Sequence, residues 1–452
     1  MPKNRCLQGI WASPWVFIFA AAGSAVGLGN LWKFPYMMGE NGGGAFLFVY
    51  ILCLLLVGLP VLIAEVALGR TVRSNPIDTV NDLSERHIVA KAWVGLPWLA
   101  GVVGFLVFSF YSVIAGWCVS YFRRAITGEF NDITLPKSQF IFDEMLAKPE
   151  EMAIWNSVFL VLVILAVGQS VTRGLAKLVK FLLPVLVILL ITLSFYSLQV
   201  GDVPQTMDFL FGWKWSDITF DVVLAAVGHA FFSLSVGMGA MFAYGAYMSK
   251  HMSIARACSI VVGLDLLVAL LAGLIIFPLV FSYELNVASG PSLTFVSLPI
   301  VFGAIQGGQL LGGLFFTLMI IAALTSAISM LELFIAWLHE RFSMDRFKAA
   351  TLSVTAAWFL GLAVILSFND WSHYTLMDMN LFELLDALTS LVLLPVSAIL
   401  LTVLVAWFIP QNMWEKELIT RNAKHFAWWY VTLKYISLPA MLLIAVTGWL
   451  GA

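Results

Sequence analysis

Long apolar segments are the feature of this sequence that most restricts its fold. Eleven predominantly apolar stretches follow one another along the 452 residues, and a membrane-spanning helix needs roughly 20 such residues. Because 61% of the chain is hydrophobic and only 11% is charged, a soluble fold could not bury this much apolar surface. The sequence therefore predicts an all-α polytopic membrane protein, with spans at 13–37, 43–69, 92–124, 153–170, 176–199, 221–248, 257–282, 308–339, 350–368, 380–409 and 427–450.

The basic residues of the connecting segments predict the orientation of the chain. With the N-terminus in the cytoplasm, 17 of the 24 lysines and arginines fall in cytoplasmic segments or adjoining helix ends, and only five fall outside. An excess of Lys and Arg is usual for cytoplasmic loops. An odd number of spans then leaves the C-terminus outside. Since no Asn-x-Ser/Thr acceptor occurs, we expect a multi-pass protein of a bacterial inner (plasma) membrane.

Glycine clusters interrupt two predicted spans that lie five spans apart. The first span contains Gly23, Gly27 and Gly29, and the stretch GHAFFSLSVGMGA of the sixth span contains Gly228, Gly237 and Gly239. The first span runs outward and the sixth inward, and paired interrupted spans of this kind are typical of transporter binding sites. Close helix packing is the alternative for Gly23 and Gly27, which have G-x-x-x-G spacing. The nearby Asn30 favours a binding role, because a buried amide needs a polar partner.

Polar side chains in other spans supply oxygen atoms at membrane depth. Asp265 lies in the seventh span, where a carboxylate costs at least ~2.5 kcal/mol on insertion scales and so needs a partner. Thr325 and Ser326 lie in the eighth span, Tyr111 in the third and Asp386 near the outer end of the tenth. Helical hydroxyls often bond back to their own backbone, and packing is the alternative role for Tyr111. Neutral oxygens and carboxylates are also the ligands that hard cations such as Na⁺ prefer.

Three stretches of sequence resemble a known family. They are "WASPWVFIFAAAGSAVGLGNLWKFPYMMGENGGGAFLFVYILCLLLVGLPVLIAEVALGR", "FFSLSVGMGAMFAYGAY" and "LTSAIS". These stretches resemble the signatures of neurotransmitter:sodium symporters, and the resemblance extends from residue 11 to about 400. It implies sodium-coupled amino-acid symport by alternating access, with two Na⁺ ions and no organic cofactor.

The resemblance also implies a leucine-transporter-type fold, in which two five-helix repeats of opposite topology are followed by an eleventh span. The expected organisation is a cytoplasmic segment at 1–12, a first repeat at 13–199, an external loop at 200–220, a second repeat at 221–409, and a cytoplasmic loop with span 11 at 410–452.

The family's functional positions can be carried over residue by residue. The resemblance implies a first sodium site at Ala25, Asn30, Ser233 and Asp265, completed by the substrate carboxylate. It implies a second sodium site at Gly23, Val26, Ala322, Thr325 and Ser326. The implied groups for the substrate backbone are the Leu28 and Gly29 amides, the Tyr111 hydroxyl, the Ala25, Phe232 and Ser233 carbonyls and the Ser235 hydroxyl. The implied side-chain pocket is Val107, Ile114, Phe232, Met238 and Met330.

Two gates are implied in the same way. At the outer gate, Lys33 replaces the usual arginine and faces Asp386; lysine lacks the bidentate fork of arginine. At the inner gate, Trp11 is retained and Glu340 lies near the expected acidic partner. Gln8 stands where an arginine is expected, and Arg5 lies one turn earlier. The sequence therefore leaves undecided whether an ion pair forms at the inner gate.

Departures from the family pattern predict the substrate. Gly27 stands where monoamine transporters of the family carry an aspartate, so the substrate should bring its own carboxylate. The apolar pocket, with its two adaptable methionines, favours hydrophobic or aromatic L-amino acids, and "GMG" resembles the multi-hydrophobic amino-acid branch. Asp265 replaces a usual asparagine, and its fixed negative charge predicts chloride independence.

Two other functions are alternatives, a proton-coupled permease and an enzyme. A proton-coupled amino-acid permease of the same architecture would use Asp265 and His229. His229 replaces a glutamine that is common in the family, and it is either a hydrogen-bonding substitute for that glutamine or a proton carrier. The sequence contains no H-E-x-x-H or G-x-S-x-G constellation, so an enzyme is not expected. The expected partners are the amino acid, sodium and the lipid bilayer, without nucleic acid, and a homodimer stays open.

Overall fold

The computed structural model describes residues 10–11, 13–169, 174, 176–212, 214–288, 290, 292–418 and 423–450, and this part is helical without any β-strand. The helices, in chain order, are α1 Pro14–Ala25, α2 Gly29–Glu40, α3 Gly44–Val72, α4 Pro76–Glu85, α5 Lys91–Ile126, α6 Leu135–Leu146, α7 Pro149–Val167, α8 Ala176–Val200, α9 Val203–Phe211, α10 Phe220–Ser233, α11 Ala240–Ala246, α12 Ile254–Ser282, α13 Leu293–Ala304, α14 Gly308–Phe342, α15 Arg346–Leu366, α16 Leu381–Phe408 and α17 Gln411–Leu418. The last helix, α18, consists of three consecutive pieces, Ala423–Thr432, Leu433–Ser437 and Leu438–Leu450.

The long apolar segments form the expected helices. Among the described residues, eight helices are long and apolar enough to cross a membrane, and the bent pair of α1 and α2 makes a ninth. The two other predicted spans correspond to the pair of α10 and α11, whose apolar part Phe220–Ser233 is shorter, and to α18. The prediction of an all-α polytopic fold is confirmed.

The first predicted span is broken at the glycines. The α1 helix ends at Ala25, and Val26 adopts an extended conformation before α2 begins. The two helices are bent by 45° across the break. A Cβ atom on Gly27 would clash with the Ser326 hydroxyl, so only glycine lets the chain pass this close to α14.

The sixth predicted span is broken in the same way. Ser235, Gly237 and Gly239 between α10 and α11 have φ values of 53°, 84° and 75°, in the left-handed region that favours glycine. The Glu65 carboxylate of α3 accepts hydrogen bonds from the amides of Gly237 (3.2 Å) and Phe242 (3.4 Å). A buried acid therefore satisfies backbone groups that the break releases.

The two broken helices lie at the centre of the bundle. The α1 helix packs against α8, α12 and α14, while α10 and α11 pack against α3. The α5 and α14 helices pack along each other, and α14 also contacts α1 and α11. Both breaks therefore open onto groups from α5, α12 and α14.

Candidate functional site

The first break presents backbone amides to α5. The Leu28 amide donates to the Tyr111 hydroxyl at 3.2 Å, and the Gly27 amide donates to Asn30 Oδ1 at 3.2 Å. Gly29 begins α2, and a Cβ atom built there would lie 3.3 Å from the Phe232 ring. The structure thus brings the two amides and the hydroxyl of the implied carboxylate-binding set together, at the positive end of a helix dipole.

A fully buried polar cluster joins the first break to α10 and α12. Asn30 Nδ2 donates to Asp265 Oδ1 at 2.9 Å and to the Asp265 carbonyl at 3.1 Å. The Ser233 hydroxyl donates to the same Oδ1 at 2.6 Å. Ala25, the last residue of α1, is also buried. The four residues implied for the first sodium site therefore lie on elements that meet at the two breaks.

Tyr50 completes this cluster and is absent from the sequence-based set. Its hydroxyl donates to Asp265 Oδ2 at 3.0 Å, so both carboxylate oxygens are occupied. Tyr50 lies in the apolar run of α3, and nothing local distinguishes it from a packing residue. Tyr50 and Asp265 are 215 residues apart in the sequence, so no local sequence pattern indicates their contact.

A second cluster of oxygens lies between α1 and α14. The Ser326 hydroxyl is 3.0 Å from the Ser24 carbonyl and 3.4 Å from the carbonyls of Gly23 and Val26. Thr325 donates to the Ala322 carbonyl at 3.0 Å, as expected for a helical hydroxyl. A Cβ atom on Gly23 would lie 3.4 Å from Thr325 Cβ. The structure therefore brings together all five residues implied for the second sodium site.

Two further serines tie this cluster to both breaks and were missed in the sequence. The Ser24 hydroxyl donates to Ser329 Oγ at 2.6 Å, and Ser329 donates to the Ser326 carbonyl at 2.8 Å. The Ser235 hydroxyl, implied for the substrate ammonium, donates instead to the Ser24 carbonyl at 3.2 Å. Small hydroxyls in apolar helices are weak signals, because most of them bond within their own helix.

The residues of the implied side-chain pocket come from four elements, which are α5, α10, the second break and α14. All five residues are buried; they are Val107, Ile114, Phe232, Met238 and Met330. The two that belong to α5, Val107 and Ile114, lie on the same helical face as Tyr111. A Cβ atom on Gly104 would lie 3.1 Å from the carbonyls of both Met238 and Met330. Backbone from α5, the second break and α14 therefore approaches closely at Gly104.

An ion pair lies on one side of this region. Lys33 Nζ lies 2.6 Å and 2.9 Å from the two carboxylate oxygens of Asp386 and 3.3 Å from Ser390 Oγ. The same ammonium lies 4.6 Å from the centroid of the Phe232 ring. The pair thus links α2, α10 and α16, with the lysine seated on a residue of the apolar pocket.

The opposite end is closed by aromatic packing and acids. Trp11 is buried against Tyr244 and Tyr247, with ring centroids 5.4 Å and 5.7 Å away. Glu340 accepts from Asn75 Nδ2 at 2.6 Å and from the Asn75 amide at 3.3 Å. Gln8 and Arg5 lie outside the described residues.

A different acid forms the ion pair at this end. Glu332, which the sequence analysis missed, pairs with Arg346 and accepts from the Tyr247 hydroxyl at 3.0 Å. Arg346 also donates to the carbonyls of Val167 (3.1 Å) and Gln169 (2.8 Å). The start of α15 is thereby held against α7 and α14.

His229 lies beside the first cluster in an aromatic enclosure. Its ring centroid is 5.1 Å from that of Tyr50, 5.8 Å from Phe34 and 6.1 Å from Phe46. Neither ring nitrogen has a hydrogen-bond partner in the described part of the chain. The hydrogen-bonding interpretation of His229 therefore finds no protein partner there.

Comparisons with known proteins identify the family. The profile of the "Sodium:neurotransmitter symporter family" matches residues 8–138 and 142–450. The "Uncharacterized sodium-dependent transporter YhdH" of Bacillus subtilis is 34% identical, across 100% of this chain and 99% of the relative. An "Uncharacterized sodium-dependent transporter" of Haemophilus influenzae is 29% identical, with 98% of each chain covered.

A solved structure gives the same result for the fold. The crystal structure of MhsT in complex with L-phenylalanine superposes with a TM-score of 0.91 at 36% identity and covers 97% of this chain and 99% of that chain. The family, the leucine-transporter-type fold and the class of protein were therefore predicted correctly. This chain belongs to the sodium:neurotransmitter symporter family and is a sodium-dependent membrane transporter rather than an enzyme.

Proposed function

We propose that this protein imports hydrophobic or aromatic L-amino acids by sodium-coupled, chloride-independent symport across a bacterial inner membrane. The N-terminus would lie in the cytoplasm and the C-terminus outside. The observation that carries the substrate class is the contact of the Leu28 amide with the Tyr111 hydroxyl, 3.2 Å apart at the first break.

The carboxylate of the amino acid would displace this contact and accept from both groups and from the Gly29 amide. These donors lie at the N-terminus of α2, whose dipole favours an anion. Gly27 places no acidic side chain nearby, and a Cβ atom at that position would already meet Tyr111 and Ser326. Position 27 therefore supplies no acid to replace a missing substrate carboxylate, which favours an amino acid over an amine.

The remainder of the substrate would meet the second break. The ammonium group needs acceptors, and the carbonyls of Ala25, Phe232 and Ser233 are the candidates. The Met238 and Met330 side chains are flexible and polarizable, so an apolar pocket with these two walls suits substrates of varied shape. L-Phenylalanine is the ligand in the MhsT complex, which supports aromatic substrates for this chain.

Two sodium ions would join the breaks to the rest of the bundle. The first would be held by Ala25, Asn30, Ser233 and Asp265, and the substrate carboxylate would complete its coordination. Ion and substrate would then raise each other's affinity by the same factor, as linkage requires. The carboxylate of Asp265 is held by three donors within 3.0 Å, so its negative charge would make chloride unnecessary.

The second ion would lie between α1 and α14. Its proposed ligands are the carbonyls of Gly23, Val26 and Ala322 and the hydroxyls of Thr325 and Ser326. These hydroxyls already lie at the α1–α14 contact, with Ser326 within 3.4 Å of two of the carbonyls. Loss of this ion would free α1 from α14, which is a physical route from the closed form to one open to the cytoplasm.

Two gates would alternate around the site. The ion pair of Lys33 and Asp386 would close the outer side and must break for substrate to enter. Trp11 and Glu340 would act at the inner side, where Glu340 contacts Asn75. Two sodium ions moving with a zwitterion carry two net charges, and each is worth about 2.3 kcal/mol per 100 mV.

Uptake of labelled L-phenylalanine into vesicles containing the purified protein tests this proposal. An inward Na⁺ gradient should drive accumulation, choline in place of Na⁺ should abolish it, and gluconate in place of chloride should leave it unchanged. Equal uptake in choline buffer would refute sodium coupling. Uptake driven by a pH gradient alone would favour the proton-coupled permease that uses Asp265 and His229.

Ligand variants sharpen the same experiment. Thr325→Ala should raise the Na⁺ concentration needed for half-maximal uptake, while Thr325→Ser should preserve it, because the hydroxyl remains. Thr317→Ala is a matched control on the same helix, since the one hydrogen bond of the Thr317 hydroxyl within the described residues goes to the Gly313 carbonyl one turn away (2.7 Å). A similar change in Thr317→Ala would show that the effect is structural.

A further inference from the structure

Lys434 is a cation on the last helix, α18, on the side that faces away from the bundle. No described residue supplies a carboxylate to it. Its ammonium lies over aromatic rings instead. The Nζ atom is 4.6 Å from the centroid of the Trp407 ring, 5.6 Å from that of Tyr430 and 5.8 Å from that of Tyr435. Aromatic faces attract a cation but do not neutralise its charge.

The rings around Lys434 come from two helices, Trp407 from α16 and Tyr430 and Tyr435 from α18, and the surface between these rings is called the groove below. The Tyr430 hydroxyl donates to the Ala406 carbonyl at 2.8 Å, which fixes one ring against the end of α16. On the other side of α18, Trp429 donates to the Pro60 carbonyl at 3.0 Å and Ser437 to the Leu56 carbonyl at 2.7 Å. These bonds fix the rotation of α18 about its own axis, and with it the position of Lys434 over the rings.

The groove faces outward from the bundle. Trp407 is 47% exposed and Tyr435 is 64% exposed, and Trp428, Val431 and Ile436 beside them are exposed as well. An exposed apolar surface on a membrane-spanning helix meets lipid. Trp and Tyr are enriched at the boundary between hydrocarbon and headgroups.

The depth of the ammonium agrees with this boundary. Trp407 is the penultimate residue of α16, and the following α17 has the polar sequence QNMWEKEL. The Nζ atom over its ring therefore lies at the level where α16 leaves the membrane. A lysine there needs an anion from the same level, and lipid phosphates occupy it.

We propose that the groove formed by Trp407, Tyr430, Lys434 and Tyr435 binds the phosphate group of a membrane phospholipid, with preference for a headgroup of net negative charge. Basic pockets between membrane helices commonly bind such headgroups. The aromatic rings orient the ammonium and pack against the glycerol region, while the phosphate supplies the missing counter-charge. With the proposed orientation, the lipid belongs to the cytoplasmic leaflet; the site itself does not depend on which amino acid is transported.

Lipid binding to the full-length protein in detergent tests the proposal by native mass spectrometry with added phosphatidylglycerol or phosphatidylcholine. We expect Lys434→Gln to weaken phosphatidylglycerol binding at least fivefold and Trp407→Leu about threefold. Lys180→Gln is the matched control, since Lys180 is an exposed lysine of a lipid-facing helix with no aromatic ring over it in the described structure. Equal losses in Lys434→Gln and Lys180→Gln, or no loss in Lys434→Gln, would overturn the assignment.

Two further measurements use the unmodified protein, so the test does not depend on folding of the variants. A photoactivatable phosphatidylglycerol should crosslink to the segments around 407 and 434; adducts confined to other segments would refute the site. Inorganic phosphate at millimolar concentration should not displace the lipid, and full displacement would assign the site to free phosphate. Crosslinks that join two copies of the chain through α18, without a lipid adduct, would make the groove a protein interface and end the proposal.

Discussion

Replacement of Asp265 by asparagine should make the transport that we propose to be chloride-independent respond to chloride. Asn30 and Ser233 both donate to Oδ1, whereas Tyr50 donates to Oδ2. The amide of asparagine keeps an oxygen for the first two donors and places a nitrogen beside Tyr50, whose hydroxyl can turn to accept. The number of hydrogen bonds is therefore preserved, and the negative charge is the principal loss.

The size of the expected loss in Na⁺ affinity follows from the charge alone. Two unit charges about 4 Å apart interact by about 4 kcal/mol at an effective dielectric constant of 20, and about 1.4 kcal/mol corresponds to a tenfold change in affinity. Loss of the carboxylate should thus weaken Na⁺ binding by between tenfold and about a thousandfold in chloride-free buffer. A chloride ion at the same place would restore part of the lost interaction.

Sodium-dependent binding of L-phenylalanine measures this effect directly. Asp265→Asn should need at least tenfold more Na⁺ than the parent in gluconate buffer, and added chloride should recover part of the affinity in the variant only. Tyr50→Phe, which keeps the charge and removes one donor, should show no chloride response. An unchanged Na⁺ requirement in Asp265→Asn would refute the assignment of this carboxylate to the sodium site. A weakened one that chloride does not improve would refute the proposal that its charge makes chloride unnecessary.

Three other changes test separate parts of the site. Gly27→Ala should reduce uptake at least tenfold without unfolding the protein, because the new methyl group meets the Ser326 hydroxyl; uptake and thermal stability measured on one preparation would check this. Ser326→Ala should raise the half-maximal Na⁺ concentration at least fivefold, and normal Na⁺ dependence would remove it from the site. Lys33→Met should speed release of bound substrate to the outside several-fold by removing the pair with Asp386 (2.6 Å), which a dissociation experiment with labelled substrate measures.

The helix pattern and the two breaks were accessible from the sequence because their causes are local. The span predicted at 176–199 is Ala176–Val200 in the structure, since its length and apolar character alone require a membrane helix. Glycine clusters at 23–29 and 228–239 marked the breaks, because glycine is the residue least suited to a helix and best suited to positive φ. Helix ends differ from the predicted ends where a polar side chain caps the helix. The span predicted at 350–368 is Arg346–Leu366 in the structure, and the Asp345 carboxylate caps its start by accepting from the Phe347 amide at 3.0 Å.

The partners that sequence reasoning missed are defined only by tertiary contact. Arg346 contributed to the prediction as one more cytoplasmic basic residue, yet its guanidinium pairs with Glu332 and reaches two carbonyls at the end of α7. Glu332 is fully buried, and removal of one member of a buried pair leaves an uncompensated charge that costs about 3–5 kcal/mol. The pair therefore holds α14 and α15 together at the end of the bundle where Trp11 packs, and any motion that separates these helices must offer Glu332 another cation or water. Because the proposed inner acid Glu340 contacts only neutral donors in the described part of the chain, Glu332 carries the ion pair that such a motion has to accommodate.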